Sequence, residues 1–191
     1  MEKYLYLTHH GWVEPWVSGG KVPLSQASSY LSEARDKIYT PDENIIDNST
    51  HSKNQFPGLR IEGACRDVKI GEIIIDNKVV ASNVSFDIRY EDGLVLCLAN
   101  RRSNYIAKRL GKVACVRILD VNRLKKVLDE QIGLVSEAGE CKYTKYHLRN
   151  HFLKSHLDSW QDEFRLFWKN ANAQEVVIPP GIAVQERIRC R

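Results

Sequence analysis

Strand-like patterns dominate the chain. Tyr4-Leu5-Tyr6-Leu7-Thr8 reads as a short strand leading into His9-His10-Gly11-Trp12. Val13-Glu14-Pro15-Trp16-Val17 allows one helical turn, with Pro15 in its first turn, before Gly19-Gly20 stops it. Val22-Pro23-Leu24 is extended. Residues 25–35 carry apolar side chains at Ala27, Tyr30, Leu31 and Ala34, a helical stripe with Ser25 as N-cap. Residues 40–58 are rich in turn formers and predict a mobile surface loop suited to act as a lid.

Residues 68–75 and 79–88 form two strands around a turn at Asp76-Asn77-Lys78, and Glu91-Asp92-Gly93 makes the next turn. Leu94-Val95-Leu96-Cys97-Leu98 is continuously apolar, as in a strand buried on both faces. A short helix over residues 103–110 ends at Gly111, and residues 114–119 form another strand. Asp120 then caps a helix with Val121, Leu124, Val127 and Leu128 on one side, closed by Gly133. Residues 142–157 mix basic, aromatic and histidine side chains. Residues 175–178 and 182–188 supply two late strands around Pro179-Pro180-Gly181. With no repeat and no linker, residues 1–191 read as one α+β domain.

The densest stretch is Trp160-Gln161-Asp162-Glu163-Phe164-Arg165-Leu166-Phe167-Trp168. As a strand, its alternation puts Gln161, Glu163, Arg165 and Phe167 on one face and Asp162, Phe164, Leu166 and Trp168 on the other. The second face is core. The first carries an amide, a carboxylate and a guanidinium that need partners or a ligand. Two readings stand: a functional glutamate, or a Glu163–Arg165 pair on the open face of an edge strand.

Composition narrows the classes. A hydrophobic fraction of 43% and a charged fraction of 27% suit a globular core. Twenty-eight Lys and Arg against 24 Asp and Glu leave +4, compatible with a phosphate-bearing ligand but weak for a nucleic-acid tail. No signal-like or membrane-length apolar run is present. Cys65, Cys97, Cys115, Cys141 and Cys190 are scattered, with Cys97 and Cys115 read as core thiols, which predicts a reduced, cytoplasmic protein without membrane association.

Other groups offer chemistry. His9 or His10 can hydrogen-bond a sugar hydroxyl or phosphate, and the bland alternative is one structural and one solvated ring. Arg101 and Arg102, beside the start of the 103–110 helix, suit a phosphate or are simply solvated. His147 and His151 are four apart, so a helix there would present both to zinc beside Cys141. Leu148 stands where a hydrolytic His-Glu-x-x-His pattern needs glutamate, and no metal is expected. Lys142, Lys145, Arg149 and Lys154 form a basic surface in the same reading.

A histidine after the first strand, a glycine-closed helix, a buried strand with a polar turn and a late glutamate strand resemble the ADP-ribosyltransferase superfamily. The resemblance implies a split, mixed or antiparallel sheet with NAD bound as substrate in its cleft. It implies that His9 or His10 holds the nicotinamide ribose and that Ser103 and Tyr105 pack near the nicotinamide. Glu163 would be the catalytic glutamate and Gln161, in a Gln-x-Glu pattern, would help choose a protein or nucleic-acid acceptor. Arg101 or Arg102 would hold the pyrophosphate. The chain has no Ser-Thr-Ser motif of that superfamily. It is also similar to poorly characterised bacterial and phage families that share the late acidic-aromatic strand. The expected function is a bacterial or phage NAD-dependent transferase or NAD glycohydrolase. The alternative is a non-catalytic interaction protein that binds a host or defence-related partner through Trp12, Trp16 and residues 142–154. A weaker reading is nucleic-acid binding through Arg101, Arg102, Lys142, Lys145 and Arg149.

Overall fold

The computed structural model describes residues 1–56, 58–61 and 63–189, so Cys190 and Pro57 lie outside the described residues. The chain runs β1 (Lys3–Leu7), α1 (Val13–Val17), β2 (Gly20–Gln26), β3 (Ile45–Asp47), β4 (Cys65–Ile75), β5 (Lys78–Tyr90) and β6 (Gly93–Ala99). It continues through α2 (Asn104–Leu110), β7 (Ala114–Ile118), α3 (Val121–Ile132), β8 (Glu137–Glu140), β9 (Lys142–Thr144) and β10 (Leu153–Ser155). It closes with β11 (Glu163–Lys169), β12 (Gln174–Ile178) and β13 (Ala183–Glu186). The architecture is α+β, with mostly antiparallel sheets and a few short helices.

The main sheet has eight strands in the order β12-β2-β6-β1-β7-β13, with β11 on β6 and β8 on β11. All seven residues of β11 pair with β6, from Glu163 opposite Ala99 to Lys169 opposite Gly93. A side chain at Gly93 would place its Cβ 2.2 Å from the Trp168 carbonyl oxygen, so only glycine fits this close approach. The other edge of β6 is shared. β2 takes its start, with Ser25 opposite Val95, and β1 takes its end, with Tyr4 opposite Ala99. Between those two contacts β1 and β2 part, and the sheet opens.

The two sheet faces differ. On one, Leu94, Leu96, Leu98, Phe164, Leu166 and Trp168 join Val121, Leu124 and Leu128 of α3 in the main core. Helix α3 has the expected ends: Asp120 accepts a hydrogen bond from the Asn122 amide, and Gly133 closes it at φ 76°. On the opposite face, Ile106 and Ala107 of α2 cover Tyr6, Ala99 and Cys115.

Several expectations change. The stripe over residues 25–35 is not an α-helix: β2 runs to Gln26, and only a 3-10 turn, Ala27–Tyr30, follows. Sheet pairing of Ser25 and Gln26 with β6 outcompetes the local periodicity. Residues 40–58 are not an open loop, because β3 pairs with β5 and Thr40, Glu43, Asn44, Ile46 and Ser49 are buried. Within residues 142–157, β9 and β10 form a parallel pair, so the helix that the His147–His151 spacing would need is not formed. β4 and β5 form the expected hairpin, with Asp76 and Asn77 both at positive φ in its two-residue turn. Among the described residues no helix is long and apolar enough to cross a membrane.

Candidate functional site

The strand carrying Glu163 is internal, flanked by β6 and β8, so the edge-strand reading of Glu163 and Arg165 fails. The alternation holds from Glu163 onward. Before it, Asp162 adopts a left-handed conformation (φ 49°) at the end of a 3-10 helix, His156–Gln161, instead of joining the strand. Its carboxylate accepts from Asn100 Nδ2 at 3.0 Å and pairs with Arg101 Nε at 3.0 Å, which fixes that corner. The corner turns Gln161 back toward β10.

Glu163 and Arg165 therefore meet a second pair from distant segments. Arg165 Nε donates to Glu163 Oε1 at 2.5 Å, and Lys154 Nζ donates to Glu163 Oε2 at 2.7 Å. Arg165 Nη2 contacts Glu43 Oε1 at 2.5 Å, close but off the hydrogen-bond direction, and Lys154 lies 3.8 Å from Glu43 Oε2. Lys154 also donates to Gln161 Oε1 at 3.0 Å, and Arg165 Nη1 donates to the His151 carbonyl at 3.2 Å. Two carboxylates and two cations make a neutral quartet in which Glu163 is 4% and Arg165 2% exposed.

Burial alone would raise the Glu163 carboxyl, but Arg165 and then Lys154 outweigh it and hold its pKa down at about 2. Burial and the like charge of Arg165 oppose the Lys154 ammonium, whereas Glu163 and Glu43 overcome them and raise it. Both groups are ionised at neutral pH.

The quartet lies against the opening in the sheet. A cavity of about 240 Å³ fills the space between β1 and β2, walled by Leu5, Val22, Leu24, Trp12, Trp16 and Tyr30. Its polar wall is Glu43, Lys154, Gln161, Glu163 and Arg165, with Lys21 and Lys112 also lining it. Cys97, opposite Arg165 on β6, faces this space. It is not packed as a core thiol: its side chain is reachable from the cavity although protein surrounds it. Burial, reinforced by Glu163, pushes that thiol well up, so it is protonated and not a poised nucleophile.

Of the residues that the resemblance assigned to an NAD site, the cavity brings together Gln161 and Glu163. It is not lined by His9, His10, Arg101, Arg102, Ser103 or Tyr105. His9 packs edge-on against Trp12, a lining residue, with ring centroids 4.8 Å apart, and His10 is exposed. Arg101 pairs with Asp162, and Arg102 donates to the Arg187 carbonyl. Ser103 caps α2 by accepting from the Ile106 amide, and Tyr105 is exposed beside Arg109.

The basic surface is also dispersed. Lys154 is buried in the quartet and Arg149 pairs with Asp42 at 2.6 Å, while Lys142 and Lys145 are exposed. Trp16 is buried, so it belongs to the core and cavity wall rather than to an interface. Without a helix the zinc spacing is lost: His147 Nε2 lies 2.9 Å from the Ser49 carbonyl, whereas His151 stacks on Phe167 at 3.6 Å. Among the described residues no group of three His, Cys, Asp or Glu is placed to hold a metal ion. Sequence reasoning missed Glu43, and it placed Lys154 on a basic surface rather than beside Glu163. The only signal was the unpaired demand of Glu163 and Arg165 on an apolar strand.

No protein-family model matches the chain, and no curated protein or solved structure gives a significant match.

Proposed function

We propose that the cavity binds the nicotinamide riboside half of NAD and that the protein cleaves the nicotinamide–ribose bond, passing ADP-ribose to an acceptor or to water. The observation that carries this reading is an ionised carboxylate, Glu163, set with Gln161 in the polar wall of an otherwise apolar and aromatic cavity. Departure of nicotinamide leaves positive charge on the ribose, and a fixed anion in a site shielded from water stabilises that charge. Each carboxylate oxygen of Glu163 accepts from Lys154 or Arg165, and the Cys97 thiol is a further, weak donor that a sugar hydroxyl can replace. At about 240 Å³ the cavity is below the roughly 300–1,000 Å³ of sites that enclose a drug-sized ligand. The adenosine half therefore extends outward, with Lys21 and Lys112, rather than Arg101 and Arg102, meeting the phosphates.

Wild type and Glu163→Gln, both checked for folding, are incubated with NAD while free nicotinamide is followed. The expected loss is on the order of 10²–10³ in rate; undiminished release by the variant would end the assignment. A second reading is favoured by the electrical neutrality of the quartet: a non-catalytic pocket that holds its ligand intact. NAD bound without nicotinamide release would select it.

A further inference from the structure

A second surface stands beside the cavity but outside it. We infer that arginines around α2 and in the segment after β13 form a docking surface for a single-stranded polynucleotide. Helix α2 is shared by both sites: Ile106 and Leu110 line the cavity, while Tyr105 and Arg109 are exposed. Arg102 Nε donates to the Arg187 carbonyl at 3.0 Å, and the Arg189 amide donates to Asn104 Oδ1 at 3.0 Å. These bonds dock residues 187–189 against the start of α2 and gather Arg101, Arg102, Arg109, Arg187 and Arg189 in one region, all of them exposed.

Charge complementarity picks an anionic partner. Among the described residues, two carboxylates pair with these five arginines: Asp162 with Arg101 at 3.0 Å, and Glu186 at 3.8 Å from Arg102. Glu186 is also engaged by Arg117 at 2.8 Å. Five arginines against two carboxylates leave this region cationic in a chain that carries +4 overall.

The aromatic groups decide which anion. The Arg109 guanidinium stacks 4.2 Å from the Trp160 ring and donates to the Tyr105 hydroxyl at 2.9 Å, so it is held in place. Tyr105 is 59% exposed, which presents a ring beside fixed guanidinium planes. An acidic peptide uses the charge but not the ring. Unpaired bases stack on such planes while their phosphates meet the arginines, and paired bases do not. The surface does not depend on the cavity holding NAD, and it is tested without NAD.

The probe is a fluorescein-labelled, mixed-sequence single-stranded DNA of about 20 nucleotides, long enough for a site of ~4–16 nucleotides, read by anisotropy over a salt series. Binding should weaken with salt, and Arg109→Ala/Arg187→Ala/Arg189→Ala should lower the log–log slope by about 2, at ~0.7 per phosphate contact. Tyr105→Ala should cost about fivefold or more. Lys142→Ala/Lys145→Ala, which removes the same type of charge elsewhere, should leave binding within about twofold. No binding, equal binding of the duplex, equal competition by polyglutamate, or insensitivity to the arginine substitutions would each overturn the inference. Because Glu163→Gln leaves this surface intact, that variant should bind the oligonucleotide like wild type whatever the outcome with NAD.

Discussion

The two faces of β11 differ in what they demand of the rest of the chain. Phe164, Leu166 and Trp168 point into a core that any well-shaped set of apolar side chains can fill, and α3 supplies it. Glu163 and Arg165, one position out of phase, need specific charges in specific places, and they draw Glu43 and Lys154 from remote segments. Replacing buried ion pairs by apolar residues is often neutral or stabilising, so such a quartet is poor value as a stability device. Its position against a cavity is what the proposed ligand site rests on.

The contrast is broken most strongly at its centre. Arg165→Ala leaves two buried carboxylates, Glu163 and Glu43, to the single charge of Lys154 and should cost about 3–5 kcal/mol in chemical denaturation. Leu166→Ala, on the other face, should cost about 2–5 kcal/mol through an unfilled core space. The distinction appears in a double variant. Adding Glu163→Gln to Arg165→Met leaves Glu43 and Lys154 to pair, so the double should fall short of the summed single losses by about 0.5–3 kcal/mol. Additive losses would mean the four groups do not act as a unit.

Acid titration sharpens the same face. Burial, then the charge of Arg165, brings the His151 imidazole from 6.5 down to about 4. The unfolded chain therefore binds that proton first, and stability should fall as pH drops from about 6.5 to 4, by on the order of 3 kcal/mol. In His151→Phe that fall should vanish, since a phenyl ring keeps the stack on Phe167 without a titrating group. Glu163 acts lower. Its ionised form is favoured on folding from 4.5 down to about 2, so its contribution is full above about pH 4.5 and is lost toward pH 2. The stability gap between wild type and Glu163→Gln should close in that window. The smallest effect belongs to Cys97, which borders the cavity and gives Glu163 only a weak thiol hydrogen bond: Cys97→Ala should shift stability by about 1 kcal/mol or less. Its neighbour Leu96, in the core, should cost about 2–5 kcal/mol on the same truncation.

Local physics made part of this legible in the sequence. The Asp120 cap, the stripe of α3 and its closing glycine are all decided within a few residues, and so is the Asp76-Asn77 hairpin turn. The phase of Glu163 and Arg165 against Phe164 and Leu166 is a period-two property, and it survives in β11. What was not legible depends on pairing between distant segments. Residues 25–35 look helical until β6 captures Ser25 and Gln26, and residues 142–157 show no local sign of the pairing between β9 and β10. Glu43 sits in a polar, loop-like stretch, and nothing local marks it as the partner of Arg165. The left-handed corner at Asp162 is fixed by Asn100 and Arg101, so the rotation of Gln161 out of the strand was equally hidden.

The most direct test of the central claim is calorimetric titration of NAD into wild type and into Cys97→Phe, which fills the cavity from β6 while keeping all four charged side chains of the quartet. The account predicts saturable binding to wild type and none to the variant, with both proteins unfolding cooperatively. Binding that survives the plug, or no binding to wild type, would contradict a nucleotide site between β1 and β2.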